Sequence, residues 1–145
     1  MSYQISNAIV SATLLEKKEM ADFLYEHLDQ YGDTREDIMK CLDYALNNFP
    51  HQGGYAILAR EAGNIVGAVI VNKTGMEGYI PENILVYIAV DKRQRGKGIG
   101  KALMEAAISN AKGSMALHVE PDNPARKLYE KLGFTNKYLE MRLIK

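Results

Sequence analysis

The chain has 145 residues, enough for one domain over residues 1–145 and too few for two independent cores. Its 18 Lys plus Arg balance 18 Asp plus Glu, which argues against a dedicated nucleic-acid binder, and 47% apolar with 25% charged residues mark a globular chain. Cys41 is the only cysteine, which excludes an internal disulfide and a cysteine-based zinc site; with no signal-like start and no apolar run near 18 residues, a cytoplasmic protein without a membrane span is expected.

In chain order, residues 3–13 form a weak strand candidate. From 16 to 31, Met20, Phe23, Leu24, Leu28 and Tyr31 recur at helical spacing, and Gly32 stops the run. A second helix is predicted from Asp33 or Thr34, with Glu36 and Asp37 placed as capping partners and Ile38, Leu42, Ala45 and Phe49 as its apolar stripe ahead of Pro50. Residues 55–60 and 65–71 then flank the turn signal Ala62-Gly63-Asn64 and read as a hairpin. The run ILVYIAV at 84–90 predicts a central strand buried on both faces.

After a glycine-rich stretch, Ile99, Leu103, Ala106, Ala107 and Ala111 give a helical stripe that ends near Gly113. Residues 115–120 read as a strand. Asn123 as N-cap, Pro124 at the first position and Gly133 past the end bracket a helix over 124–132. Two closing strands are predicted at 134–136 and 138–144. A strand, helix, strand unit such as 84–120 must cross over to pair in parallel, so the fold class is α/β (α+β), a mixed sheet with helices on both faces.

The segment 91–101, DKRQRGKGIGK, concentrates positive charge in a neutral protein and places it between a buried strand and a helix. Free backbone N–H groups and the helix dipole meet there, which suits an anion. Gly96, Gly98 and Gly100 remove side chains that would hold phosphate oxygens away. A Walker A loop would need glycine at Arg95 and Ser or Thr at Ala102. A dinucleotide fingerprint would need glycine at Lys101 or Leu103, so neither pattern fits.

The run Arg95-Gly96-Lys97-Gly98-Ile99-Gly100 resembles the acetyl-CoA signature Q/R-x-x-G-x-G/A of the GNAT superfamily of N-acetyltransferases. A second block, Asn123 through Phe134, is similar to the later family motif ending in LYEKLGF, and the resemblance runs from about Tyr55 to Phe134. It implies a central sheet splayed after the 84–90 strand, with the backbone of Ile88, Ala89 and Val90 against the pantetheine arm. It also implies that the N–H groups of Arg95, Gly96, Lys97, Gly98, Ile99, Gly100 and Lys101 hold the pyrophosphate. Tyr129 matches the family tyrosine that protonates the departing thiolate. The family asparagine commonly falls at Asp122 here, whereas Asn123, one position on, is also wanted as a helix cap.

The implied activity is transfer of an acetyl group from acetyl-CoA to a primary amine, on a small molecule or a protein, with no metal. A neutral amine is required, and deprotonating a lysine-like ammonium at pH 7 costs about 4.6 kcal/mol. Glu82, Tyr87, His118 and Glu120 are the candidate bases, none preferred. Lys92 and Arg93 stand either as a solvated rim or against the 3′-phosphate of CoA. His27 and His51 read as structural, and Cys41 as an inert core thiol. The loop 72–83 and the first two helices would choose the acceptor. A non-catalytic acyl-CoA sensor is the alternative, and the C-terminal strand would permit a homodimer.

Overall fold

The computed structural model describes residues 1–47 and 52–145. Phe49, Pro50 and His51, read above as a stripe, a stop and a structural histidine, lie outside them. The elements are β1 (Ser2–Ser6), α1 (Leu14–His27), α2 (Arg35–Ala45), β2 (Gly54–Glu61), β3 (Asn64–Lys73), β4 (Asn83–Val90), α3 (Ile99–Asn110), β5 (Met115–Leu117) and α4 (Arg126–Lys131). The strands lie in the order β1-β2-β3-β4-β5; all neighbours are antiparallel except β4 and β5, which the α3 crossover makes parallel.

Alternation along the central strands builds two cores. Ala56 and Leu58 of β2 and Ala68 and Ile70 of β3 face α1 and α2, where they bury Met20, Leu24, Ile38 and Leu42. Tyr55, Ile57 and Ala59 face α3, with Val69, Val71, Ile99, Leu103 and Met104. Gly67 lets α3 lie close on β3, since a Cβ there would stand 2.6 Å from Leu103 Cδ1. Met104, absent from the predicted stripe, is fully buried, whereas Ala106 is only partly so.

Helix starts follow caps more closely than apolar stripes. α1 begins two residues before the expected Glu16 because Thr13 and Glu16 form a reciprocal capping box, although Leu14 and Leu15 are exposed. It ends at His27, and a single 3₁₀ turn, Asp29–Tyr31, entered through Asp29 at φ 54°, replaces the rest of the predicted helix. α2 takes Thr34 as its cap, with Asp37 N–H donating to Thr34 Oγ1 at 3.1 Å. The hairpin turns through Ala62 and Gly63, both at positive φ.

Four expectations are corrected. β4 is not buried on both faces: Val86 is exposed and Ile84, Ile88 and Val90 are half-buried, alternating with buried Leu85, Tyr87 and Ala89, so one face of the strand is less covered than the other. β5 itself stops at Leu117 rather than at residue 120. α4 starts at Arg126, since Pro124 and Ala125 form a turn in which Asn123 Oδ1 accepts from Ala125 N–H at 2.9 Å. Finally, the two strands expected at 134–136 and 138–144 are not formed; that segment carries the alternating pattern but pairs with no strand of the sheet.

Candidate active site

The site opens where β4 and β5 part. Their ladder holds Asn83 to Met115, Ile84 to Ala116 and Leu85 to Leu117, then ends. At that point β4 carries a bulge: Ile70 pairs with Tyr87 and Val71 with Leu85, so Val86 has no partner. A bulge bends its strand and raises the local twist, and β4 runs on to Val90 with β3 on one side and no strand on the other. Ile88, Ala89 and Val90 therefore lie along the open edge, as expected.

The glycine-rich loop sits at the end of that edge. Gly96 and Gly98 adopt φ 83° and 82°, conformations a side chain strains, and no atom lies within 4 Å of a Cβ built on either. Gly98 caps α3 without a side-chain hydrogen bond. Among the described residues, the backbone N–H groups of Lys97, Gly98, Ile99, Gly100 and Lys101 have no acceptor. Five adjacent free donors at the positive end of a helix are an arrangement suited to an anion. A Cβ on Gly100 would touch Val90 and Leu128 at 3.6 and 3.8 Å, which shows how closely α3, β4 and α4 converge here.

The loop's positive charge is largely spoken for. Lys92 and Arg95 both reach Asp29, at 2.5 and 3.5 Å, and Arg95 also donates to the His27 carbonyl at 2.9 Å. Arg93 forms a fork on buried Asp91; its guanidinium and backbone N–H hold that carboxyl well below the usual carboxylate range. Lys101 pairs with Glu105, and Lys97 donates to neutral Gln94. The free polar groups of the loop are thus its backbone N–H donors more than the basic side chains counted in the sequence. Buried His27 does structural work as expected: its Nδ1 accepts from Lys92 N–H at 3.2 Å and fixes the loop to α1.

Tyr129 of α4 is buried in the core that contains Ile88 and Val90, edge-on to Phe134. Among the described residues its hydroxyl has no hydrogen-bond partner, and burial raises the phenol, so it keeps its proton at neutral pH. Asn123 is engaged in the turn before α4, while Asp122 offers its carbonyl to Tyr31 Oη, which spans from the 3₁₀ turn at 3.4 Å.

The base candidates separate. Glu82 accepts from Gly78 N–H and Ser114 N–H at 2.8 and 2.7 Å, bonds that lower its pKa and give it a structural role between two loops. Tyr87 donates to Asp33 Oδ2 at 2.5 Å, and burial together with that carboxylate raises its phenol. His118 and Glu120 are exposed beyond β5. Cys41, half-buried beside Asn72 Nδ2 at 3.4 Å, has its thiol pushed up to about 12 by burial. The contacts of Asp29, Tyr31 and Asp33 with the cleft, and the bulge at Val86, had no mark in the sequence, since each joins segments distant in the chain or depends on pairing.

A family model described as an acetyltransferase (GNAT) domain matches residues 52–136. The chain belongs to the GNAT acetyltransferase family. A mycothiol acetyltransferase from Thermobispora bispora is 36% identical over 87 residues, covering 54% of this chain and 29% of that protein, so the chain spans under a third of this relative's length. Among solved structures, a ribosomal-protein-alanine N-acetyltransferase from Brucella melitensis biovar Abortus 2308 superposes with TM-score 0.65 at 23% identity, covering 99% of this chain and 100% of that one. An aminoglycoside N-acetyltransferase in complex with CoA gives 0.69 at 18% identity, with 99% and 95% covered. At these identities the likeness to the solved structures is one of fold. Among the described residues, no helix is long and apolar enough to cross a membrane.

Proposed function

We propose that this chain transfers an acetyl group from acetyl-CoA to a primary amine by direct attack. The observation that carries the reading is the parting of β4 from β5 beside five free N–H groups at the start of α3. The open backbone of Ile88, Ala89 and Val90 is suited to the amides of a pantetheine arm. The N–H groups of Lys97 to Lys101, with Arg95 and Gly96 setting the turn, are suited to a pyrophosphate, and the open space at Gly96 and Gly98 admits its oxygens. Bound acetyl-CoA supplies the activated acyl group.

What the chain adds is position and a proton. Tyr129 carries a proton that its buried setting retains, and gives it to the sulfur as the carbon–sulfur bond breaks and the carbon–nitrogen bond forms. With Glu82 committed to two backbone donors and Tyr87 to Asp33, the ammonium of the acceptor loses its proton to solvent or to exposed His118 or Glu120. A recess on the α1 and α2 side, lined by Tyr25, Glu26, Asp29, Asp33, Asp37 and Lys92, sets four carboxylates against one ammonium, which supports a cationic acceptor.

Purified protein screened against polyamines, aminoglycosides, amino acids and peptide N-termini with acetyl-CoA, following release of free thiol, tests the reading. Amine-dependent release is expected for at least one class. Tight acetyl-CoA binding without release for any amine would instead favour the sensor.

A further inference from the structure

The tie between α1 and the glycine-rich loop works for one charge state of His27 and not for the other. The ring is 6% exposed and packs on Phe23 with centroids 4.6 Å apart. Its Nδ1 accepts from the Lys92 N–H at 3.2 Å, and its Nε2 lies 3.7 Å from Glu26 Oε2. A ring nitrogen that accepts a backbone N–H carries no proton of its own, so the contact with Lys92 requires a neutral imidazole with its hydrogen on Nε2. Imidazole is also the side chain that ordinarily changes charge between pH 5 and 8.

Charges about the ring welcome a proton on one side and oppose it on the other. Glu26 faces Nε2, and buried Asp91, held low chiefly by Arg93, is within reach of a charge on the ring. Of the other charges lining the groove beside the ring, Glu19 pairs with Arg60, Arg93 with Asp91 and Asp22 with Arg35, and Glu61 comes from the hairpin. On the Nδ1 side a second ring proton would meet the Lys92 N–H head on. Lys92 opens a 3₁₀ turn, Lys92–Gln94, that leads through Arg95 to Gly96, Gly98 and the start of α3. An imidazolium therefore keeps its carboxylates and displaces Lys92, and the turn moves with it. The remaining ties of that turn to the end of α1, Lys92 Nζ on Asp29 and Arg95 on the His27 carbonyl, are held by long side chains that follow a shift of the backbone.

We propose that His27 is a positioning residue for the loop 92–98, which it holds docked on α1 only as a neutral imidazole, so that acidification releases the loop. The consequence for acetyl-CoA rests on the reading that this loop holds the pyrophosphate; the docking itself does not. The docked form binds one proton fewer than the released form. Docking is therefore complete on the alkaline side and weakens as pH falls, by up to about 10-fold per pH unit once the imidazolium is the favoured form. An anion that needs the docked loop loses affinity in step.

NMR of the wild type from about pH 8 to 5.5 reads docking directly. The Lys92 amide signal should move along the same titration curve as the His27 imidazole, and its protection from hydrogen exchange should fall on the acid side. His27→Asn places Oδ1 near the position of Nδ1 and does not titrate, so its Lys92 amide should stay protected throughout; His27→Leu offers no acceptor and should lose that protection at every pH. Calorimetry with dephospho-CoA adds the binding arm, because its pyrophosphate keeps its charge over this range whereas a 3′-phosphate titrates near pH 6. Affinity should fall by about 10-fold between pH 7.5 and 5.5 in the wild type and by less than about 2-fold in His27→Asn. A Lys92 amide indifferent to the His27 titration, or the same acid loss in His27→Asn, would overturn the proposal. If His27→Asn does not fold, the wild-type titration still decides. Docking that follows His27 while dephospho-CoA affinity stays flat would uphold the positioning role and remove the pyrophosphate from the loop.

Discussion

The two halves of β4 are made of similar residues and do opposite things. Asn83 to Leu85 is held on both sides, by β3 and by β5, and Asn83 also donates to the Lys112 and Ser114 carbonyls at 2.8 and 3.1 Å. Beyond the bulge at Val86, the strand keeps β3 and loses β5. The first half is a joint and the second a row of peptide groups with no strand on one side, so one irregular residue marks where the pairing changes. The chain's hydrophobicity does not distinguish them; hydrogen bonding does.

Substitutions on the open half should change chemistry or binding, and those on the closed half should change stability. Tyr129→Phe, which keeps the ring and loses the hydroxyl, is expected to lower turnover by about 10²- to 10⁴-fold with acetyl-CoA affinity nearly unchanged. Because burial raises the phenol, the wild-type rate should fall only as pH rises through its pKa, above about 10. That alkaline limb should be missing in the variant. Full turnover in Tyr129→Phe would remove Tyr129 from the chemistry.

Gly98→Asp places a carboxylate and a strained φ where the donors converge. Acetyl-CoA affinity measured by calorimetry should weaken by about 10²-fold or more, through like charge at a helix N-terminus. Unchanged affinity would move the pyrophosphate elsewhere. Asn83→Ala, on the closed half, orphans the Lys112 carbonyl and leaves Ser114 only the backbone N–H of residue 83, and should cost about 1–3 kcal/mol in denaturant unfolding, with affinity for acetyl-CoA preserved. If affinity falls as much as stability, the two halves are not separable.

Asp29→Asn should have the smallest effect. It frees Lys92 and Arg95 from their shared carboxylate, so affinity for acetyl-CoA should rise by less than about 10-fold, and less still at high salt. A fall in affinity would show that Asp29 holds the loop in shape.

The sequence shows the elements of this fold more readily than their pairings. Thr34 as a cap, Ala62-Gly63-Asn64 as a turn and the glycines of the loop are local signals, and all sit where the chain pattern places them. The LYEKLGF block likewise leads directly to a buried Tyr129. Val86 is hidden because a bulge is a property of two strands in register, and ILVYIAV reads as uninterrupted strand. Asp29 is hidden because its partners come from the loop after β4, distant in the chain. The tail shows the same gap from the other side: YLEMRLI is ready to be a strand, but alternation says nothing about which edge will accept it.

Cys41 has a practical consequence for every kinetic measurement on this protein. It is the chain's one sulfhydryl, half-buried, with a pKa pushed up to about 12. At pH 8, only about one in 10⁴ copies carries the reactive anion, so thiol-specific dyes should label the folded protein slowly if at all. A colorimetric trace of CoA release should therefore start from a flat baseline, without a burst from the enzyme itself. A fast stoichiometric signal before any amine is added would report that the cover over α2 and β3 opens.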